Sequence, residues 1–140
     1  MIKPLLFIFL LAFSATLQAE TVPGRWYSYS IVETGNRIFK ENCAQCHGAS
    51  AQGLTDDFRK PLADGSYPPP PLNGTAHSWH HPLSGLFKTI SNGGIAIGGK
   101  MPPFKNSLSE EDRLSVIASF QHWWPDNIYQ AWIDRGGLSK

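Results

Sequence analysis

The stretch "ENCAQCHG", Glu41 to Gly48, holds the only two cysteines of the chain, Cys43 and Cys46, with His47 directly after the second. Two cysteines at this spacing admit several chemistries. In an exported protein they suit a disulfide, and in a thioredoxin-like domain they form a redox C-x-x-C. The redox reading needs a βαβ context, and no convincing strand pattern occurs in this sequence. Structural zinc needs four ligands, usually completed by a second C-x-x-C or a His pair, and no further cysteine is present.

The adjacent histidine points to a fourth reading. C-x-x-C-H is the covalent attachment signal of c-type haem: two thiols add to the vinyl groups, and the histidine beside the second is held against iron as proximal ligand. Cys43, Cys46 and His47 are therefore the primary candidates for one covalently bound haem c. A tethered macrocycle also gives a short chain the apolar centre that its own side chains would supply only modestly.

The N-terminus agrees with this chemistry. Residues 1–19, "MIKPLLFIFLLAFSATLQA", carry Lys3, an apolar run from Leu5 to Phe13 and a small residue at Ala19, the layout of a secretory signal peptide cleaved before Glu20. The apolar run is shorter than the ~20 residues that cross a bilayer, so stable membrane insertion is not expected. Residues 20–140 then read as one exported, periplasmic domain. Removing the leader takes away one lysine and no acid, which brings the formal net charge from +1 to zero. Such a chain has no basic field for nucleic acid or an anionic surface.

Four helices are expected. The first runs from about residue 31 into the cysteine motif, with Val32, Gly35 and Phe39 on one face. Gly35 within that helix suggests that another helix crosses it closely. The second spans 82–90, with Leu83, Leu86, Phe87 and Ile90 as its stripe and Pro82 suited to a helix start. The third opens with a capping box, Ser109 and Asp112, buries Val116, Ile117, Phe120 and Trp124, and stops at Pro125. The last covers 126–135 and ends in Gly136–Gly137. Between the first two lies a long loop, 49–81, tolerable when wrapped around a cofactor edge.

A sixth iron ligand must come from Met101, His77, His80, His81 or His122, or be absent. Met101 sits in "GGKMPPF", 98–104, where glycines allow a tight turn and prolines stiffen the exit. Gap-filling methionines belong on helix faces, and this one does not lie on one. A thioether suits low-spin iron and raises its potential. His77, His80 and His81 in "HSWHH" offer an alternative function, a copper-binding or redox-sensing module. A ligating histidine normally donates its other ring N–H to a carbonyl, and Pro71, in the rigid "PPPPL", is the candidate acceptor.

The chain resembles class I monohaem cytochromes c, in particular an exported bacterial group. The likeness lies in "GRWYSYSIVETGNRIFKENCAQCHG" (24–48), "PPLNGTAHSWHHPLSGLFKTISNGG" (70–94), "KMPPF" (100–104) and "LSEEDRLSVIASFQHWWPDNIYQAW" (108–132). It implies an all-α cytochrome c fold around one haem, with terminal helices crossing near Gly35 and Phe39. It further implies His47 and Met101 as axial ligands, with a proline carbonyl, here Pro71, on the proximal histidine. One departure is Ser119, where many relatives carry an aromatic residue, so Phe120 is expected to serve the crossing instead. The implied role is a monomeric one-electron carrier that turns over no substrate and exchanges electrons with an oxidase, reductase or dehydrogenase.

Overall fold

A computed structural model describes residues 20–139, so the expected leader at 1–19 lies outside the described residues. Among the described residues the chain is all-α: α1 (Tyr29–Asn42), α2 (Ala44–His47), α3 (Leu83–Asn92), α4 (Glu110–His122) and α5 (Asp126–Asp134). Two 3-10 turns, His77–His80 and Ile95–Ile97, sit before and after α3. The extended structure is a single bridge between Thr21 and Ser28.

Several helix ends have a local cause. Ser28 caps α1 by accepting from the Ile31 amide. Ser109 and Asp112 form the expected capping box on α4, and Glu110, Glu111 and Asp112 place negative charge at its N-terminus. Pro82 lies one position earlier than a helical residue, as the N-cap of α3. At the end of α5, Gly136 N–H donates to the Ile133 carbonyl and Gly137 N–H to that of Trp132, each at 2.9 Å. With Gly136 at φ +79°, this is the reverse turn that only a residue without Cβ adopts freely.

The crossing of α1 and α4 organises the core. A Cβ on Gly35 would lie 1.9 Å from the Ser115 carbonyl oxygen and 2.9 Å from Ser119 Cβ, so the two backbones touch there. This corrects the expected role of Phe120. The nearest neighbours of Gly35 belong to Ser115 and Ser119, and an aromatic side chain would not fit at the fully buried Ser119. One turn further along, Phe39 meets Trp123 edge-on, with ring centroids 5.4 Å apart. Such pairs add about 0.5–1.5 kcal/mol beyond the area that they bury.

Helix α4 is buried all round between Ser115 and Gln121, not on one stripe. Residues 25–27 pack on its C-terminal end. Trp26 Nε1 donates to Gln121 Oε1 at 2.7 Å, and Arg25 reaches the Gln121 and Trp124 carbonyls and Asp126. The Arg25 guanidinium also lies 3.9 Å above the Tyr129 ring. The two serines inside α4 are satisfied locally, Ser115 Oγ by the Glu111 carbonyl and Ser119 Oγ by that of Val116, both at 2.8 Å, whereas Arg113 Nε and Gln121 Nε2 are buried with no partner among the described residues.

Candidate haem attachment site

Helix α1 hands over to α2 at Cys43, and the single turn that follows carries the whole motif. His47 N–H donates to the Cys43 carbonyl at 2.9 Å and Cys46 N–H to the same oxygen at 3.1 Å. Residues three and four apart on one helical turn share a face, so the two sulfurs and the imidazole leave the backbone on the same side. The two sulfurs are not joined to each other in this structure. Cys43 is half-buried and its thiol is pushed up to about 11, by burial first and by neighbouring Cys46 second. Cys46 is exposed.

His47 is buried at 8% exposure, and its Nδ1 lies 2.9 Å from the Pro70 carbonyl oxygen. A carbonyl only accepts, so Nδ1 carries the proton and Nε2 keeps a free lone pair. Burial holds the imidazole below its usual pKa, with the Pro70 contact acting in the opposite direction. The acceptor is thus Pro70 and not Pro71. The difference comes from register: Leu72 N–H donates to the Ala51 carbonyl at 2.7 Å, which fixes the segment so that Pro70 faces the imidazole. The Pro71 ring instead packs on Gly53, 3.2 Å from where a Cβ would stand. Trp124 Nε1 secures the same segment by donating to the Leu72 carbonyl at 2.7 Å.

Met101 is half-buried against the core and held by the end of α3. Its carbonyl accepts from Gly94 N–H at 2.9 Å, Gly99 N–H donates to the Gly94 carbonyl at 2.9 Å, and Phe104 N–H to that of Ile90 at 3.0 Å. These bonds pin a short closed loop from both sides, with Met101 near its base. Of the two glycines expected to turn the loop, Gly98 takes φ +85° and Gly99 stays outside the left-handed region; Gly93, not singled out from sequence, takes φ +78° under the Met101 backbone.

The three histidines of "HSWHH" do not assemble into a second site. His77 stacks on Phe58 at 5.4 Å, His81 packs edge-on to His77 at 5.5 Å, and His80 packs against Trp79 at 4.1 Å. Among the described residues no three His, Cys, Asp or Glu side chains converge to hold a metal ion. The copper-binding alternative at His77, His80 and His81 thus has no preformed three-ligand cluster among the described residues. His77 and His80 line, with Arg59 and Trp79, an open cleft of about 590 Å³.

The donor set fits an iron porphyrin. It comprises two thiols one turn apart, a buried imidazole with its tautomer fixed and its lone pair free, and a thioether on a separate loop pinned at its base. Pro70 was not recognised from sequence because any of four consecutive prolines could supply a carbonyl. Asp64 and Tyr67, which touch the Met101 loop, had no sequence signal at all.

Comparison with known proteins identifies the family. The family model described as "Cytochrome C oxidase, cbb3-type, subunit III" matches residues 31–118. Curated relatives include the cbb3-type cytochrome c oxidase subunit FixP of Sinorhizobium medicae, 34% identical over 62% of this chain and 28% of that protein. Another is the thiosulfate dehydrogenase of Psychrobacter arcticus, 30% identical over 64% of this chain and 25% of that protein. The chain therefore spans about a quarter of the length of these two relatives. No solved structure gives a significant match. With 31–118 covered and the fold all-α, the chain belongs to this cytochrome c family, whose domains carry haem c and transfer electrons.

Proposed function

We propose that the chain is a periplasmic one-electron carrier, with a single haem joined to Cys43 and Cys46 and iron ligated axially by His47 and Met101. The observation that carries this reading is the His47–Pro70 hydrogen bond, which fixes the imidazole with Nε2 unprotonated, the form that a metal needs. When bound, haem supplies an iron that exchanges one electron between its ferric and ferrous states. The polypeptide positions and tunes. Pro70 orients the proximal imidazole and raises its basicity, while the Met101 thioether favours the reduced state. Held by His47 and Met101 together, the iron would have no open position for a substrate. Cys46 is exposed, which makes the edge beside the 43–46 turn the favoured route for electrons.

Relatives named as an oxidase subunit and a dehydrogenase support oxidases, reductases or dehydrogenases as redox partners. A leader at 1–19 would deliver the chain to the periplasm. The test is production of the full chain in a host with c-type haem maturation, followed by mass analysis after denaturation. The expected product begins at Glu20, is heavier by one haem that acid and organic solvent do not extract, and accepts one electron per molecule. A product without covalent haem would overturn the reading. The relative named thiosulfate dehydrogenase gives a second reading, direct oxidation of thiosulfate. Haem reduction by thiosulfate alone, at a rate that saturates with its concentration, would favour that reading over the carrier.

A further inference from the structure

The tip of the Met101 loop has little core burial to hold it. Ile95 and Ile97 are 68% and 75% exposed, so their side chains contribute almost nothing to its order. Its distal contacts are instead made by a second loop. Residues 62–66 form a closed turn, with Leu62 N–H donating to the Ser66 carbonyl at 2.8 Å and Gly65 N–H to that of Leu62 at 2.9 Å. Inside it, Ser66 donates from its amide and its hydroxyl to Asp64 Oδ1, at 3.0 and 2.6 Å. The other carboxylate oxygen, Oδ2, accepts from Lys100 Nζ. Beside this pair, Tyr67 N–H donates to the Gly98 carbonyl at 2.9 Å. The Tyr67 ring covers Gly98 at 3.4 Å from where a Cβ would stand.

The same segment continues for three residues to Pro70, whose carbonyl orients His47. One strand of chain therefore touches both ligand supports, Pro70 on the proximal side and the Gly98–Lys100 tip on the other.

We propose that Asp64 and Tyr67 form a clasp that holds the Met101 loop closed and keeps the sixth iron position from external ligands. The inference rests on Met101 being that ligand. Asp64 and Tyr67 are positioning residues, since they act through Gly98 and Lys100 on the loop. An external base such as imidazole binds only when Met101 is off the metal, so its apparent affinity scales with the open population. Loosening the clasp raises that population without touching the helical core.

The experiment is imidazole titration of the ferric holo-protein, read from the Met–iron absorption band, alongside urea unfolding read from helix content. Asp64→Asn is expected to raise apparent imidazole affinity about two- to five-fold, the range for losing one exposed ion pair, and Tyr67→Ala by at least as much. Neither should shift the urea midpoint in proportion. The charge exchange Asp64→Lys with Lys100→Asp should restore part of the original affinity. Unchanged affinity in both single variants would overturn the clasp, as would a gain that merely tracks a lower urea midpoint. If Met101→Ala leaves the band in place, the ligand assignment itself fails. If Met101→Ala abolishes the band and the clasp variants do nothing, only the clasp fails.

Discussion

The carbonyl oxygen of Met101 fills the space that any side chain at Gly93 would need: a Cβ there would lie 2.5 Å from it, and Gly93 also holds φ +78°. The last turn of α3 and the base of the Met101 loop are thus packed backbone to backbone, and this glycine is what permits it.

Gly93→Ala should move the Met101 loop while leaving α1, α4 and α5 intact. The expected outcome is a mixture of low- and high-spin ferric iron, with helix content by circular dichroism unchanged. A purely low-spin spectrum would show that the loop tolerates the extra atom.

The α1–α4 crossing makes a second, stronger demand. Gly35→Val puts branched carbon onto the Ser115 carbonyl and should cost about 3 kcal/mol or more, read as a lower urea midpoint and a poor holo-protein yield. Ser119→Phe should be comparably damaging, because that position has no free surface. Ser119→Ala should change stability by about 1 kcal/mol at most, since its hydroxyl bonds only within its own helix.

Much of this was legible in the sequence for a physical reason. Gly35 in a helix signals close approach whatever the partner, Ser109–Asp112 signals a helix start by itself, and C-x-x-C-H is a local chemical unit. What could not be read depends on contacts between distant residues. Burial of α4 on all sides follows from α1, α3 and residues 25–27 packing on it together, and no periodicity in α4 announces that combination. The choice of Pro70 over Pro71 is set by the Leu72–Ala51 bond, and the likeness that suggested an aromatic at the crossing gave no hint that Ser119 itself fills the contact. The HSWHH cluster offers a metal-binding alternative only because its histidines are close in sequence; in the fold their rings pack on Phe58, Trp79 and one another.

Tyr27 is buried at 1% exposure, and among the described residues its hydroxyl makes no hydrogen bond of normal geometry, although the Arg25 guanidinium acts on it. Burial pushes the hydroxyl well above its usual value of 10.0, against the smaller opposing effect of Arg25. The folded state therefore keeps a proton that the unfolded chain releases above pH 10, and stability falls as pH rises from there. Tyr129, also raised by burial, adds to the same alkaline loss. Tyr27→Phe should reduce this loss in urea titrations above pH 10. At neutral pH it should leave stability unchanged or raise it by about 1 kcal/mol, since no hydrogen bond is given up. A clear loss at neutral pH would show that the hydroxyl has a partner.

The capping box on α4 gives a simpler test. Ser109→Ala removes the acceptor of the Asp112 amide and should cost about 1 kcal/mol in urea unfolding, with the haem spectrum unaltered.

The central claim, that His47 and Met101 are the axial pair, is tested most directly by the ferric spectrum and reduction potential of Met101→Ala holo-protein. The account predicts a high-spin spectrum without the Met–iron band. It also predicts a potential lower on the order of 0.1 V, a fraction of the about 0.8 V over which axial ligands tune haem. A low-spin spectrum and an unchanged potential would contradict it and assign the sixth position to another side chain.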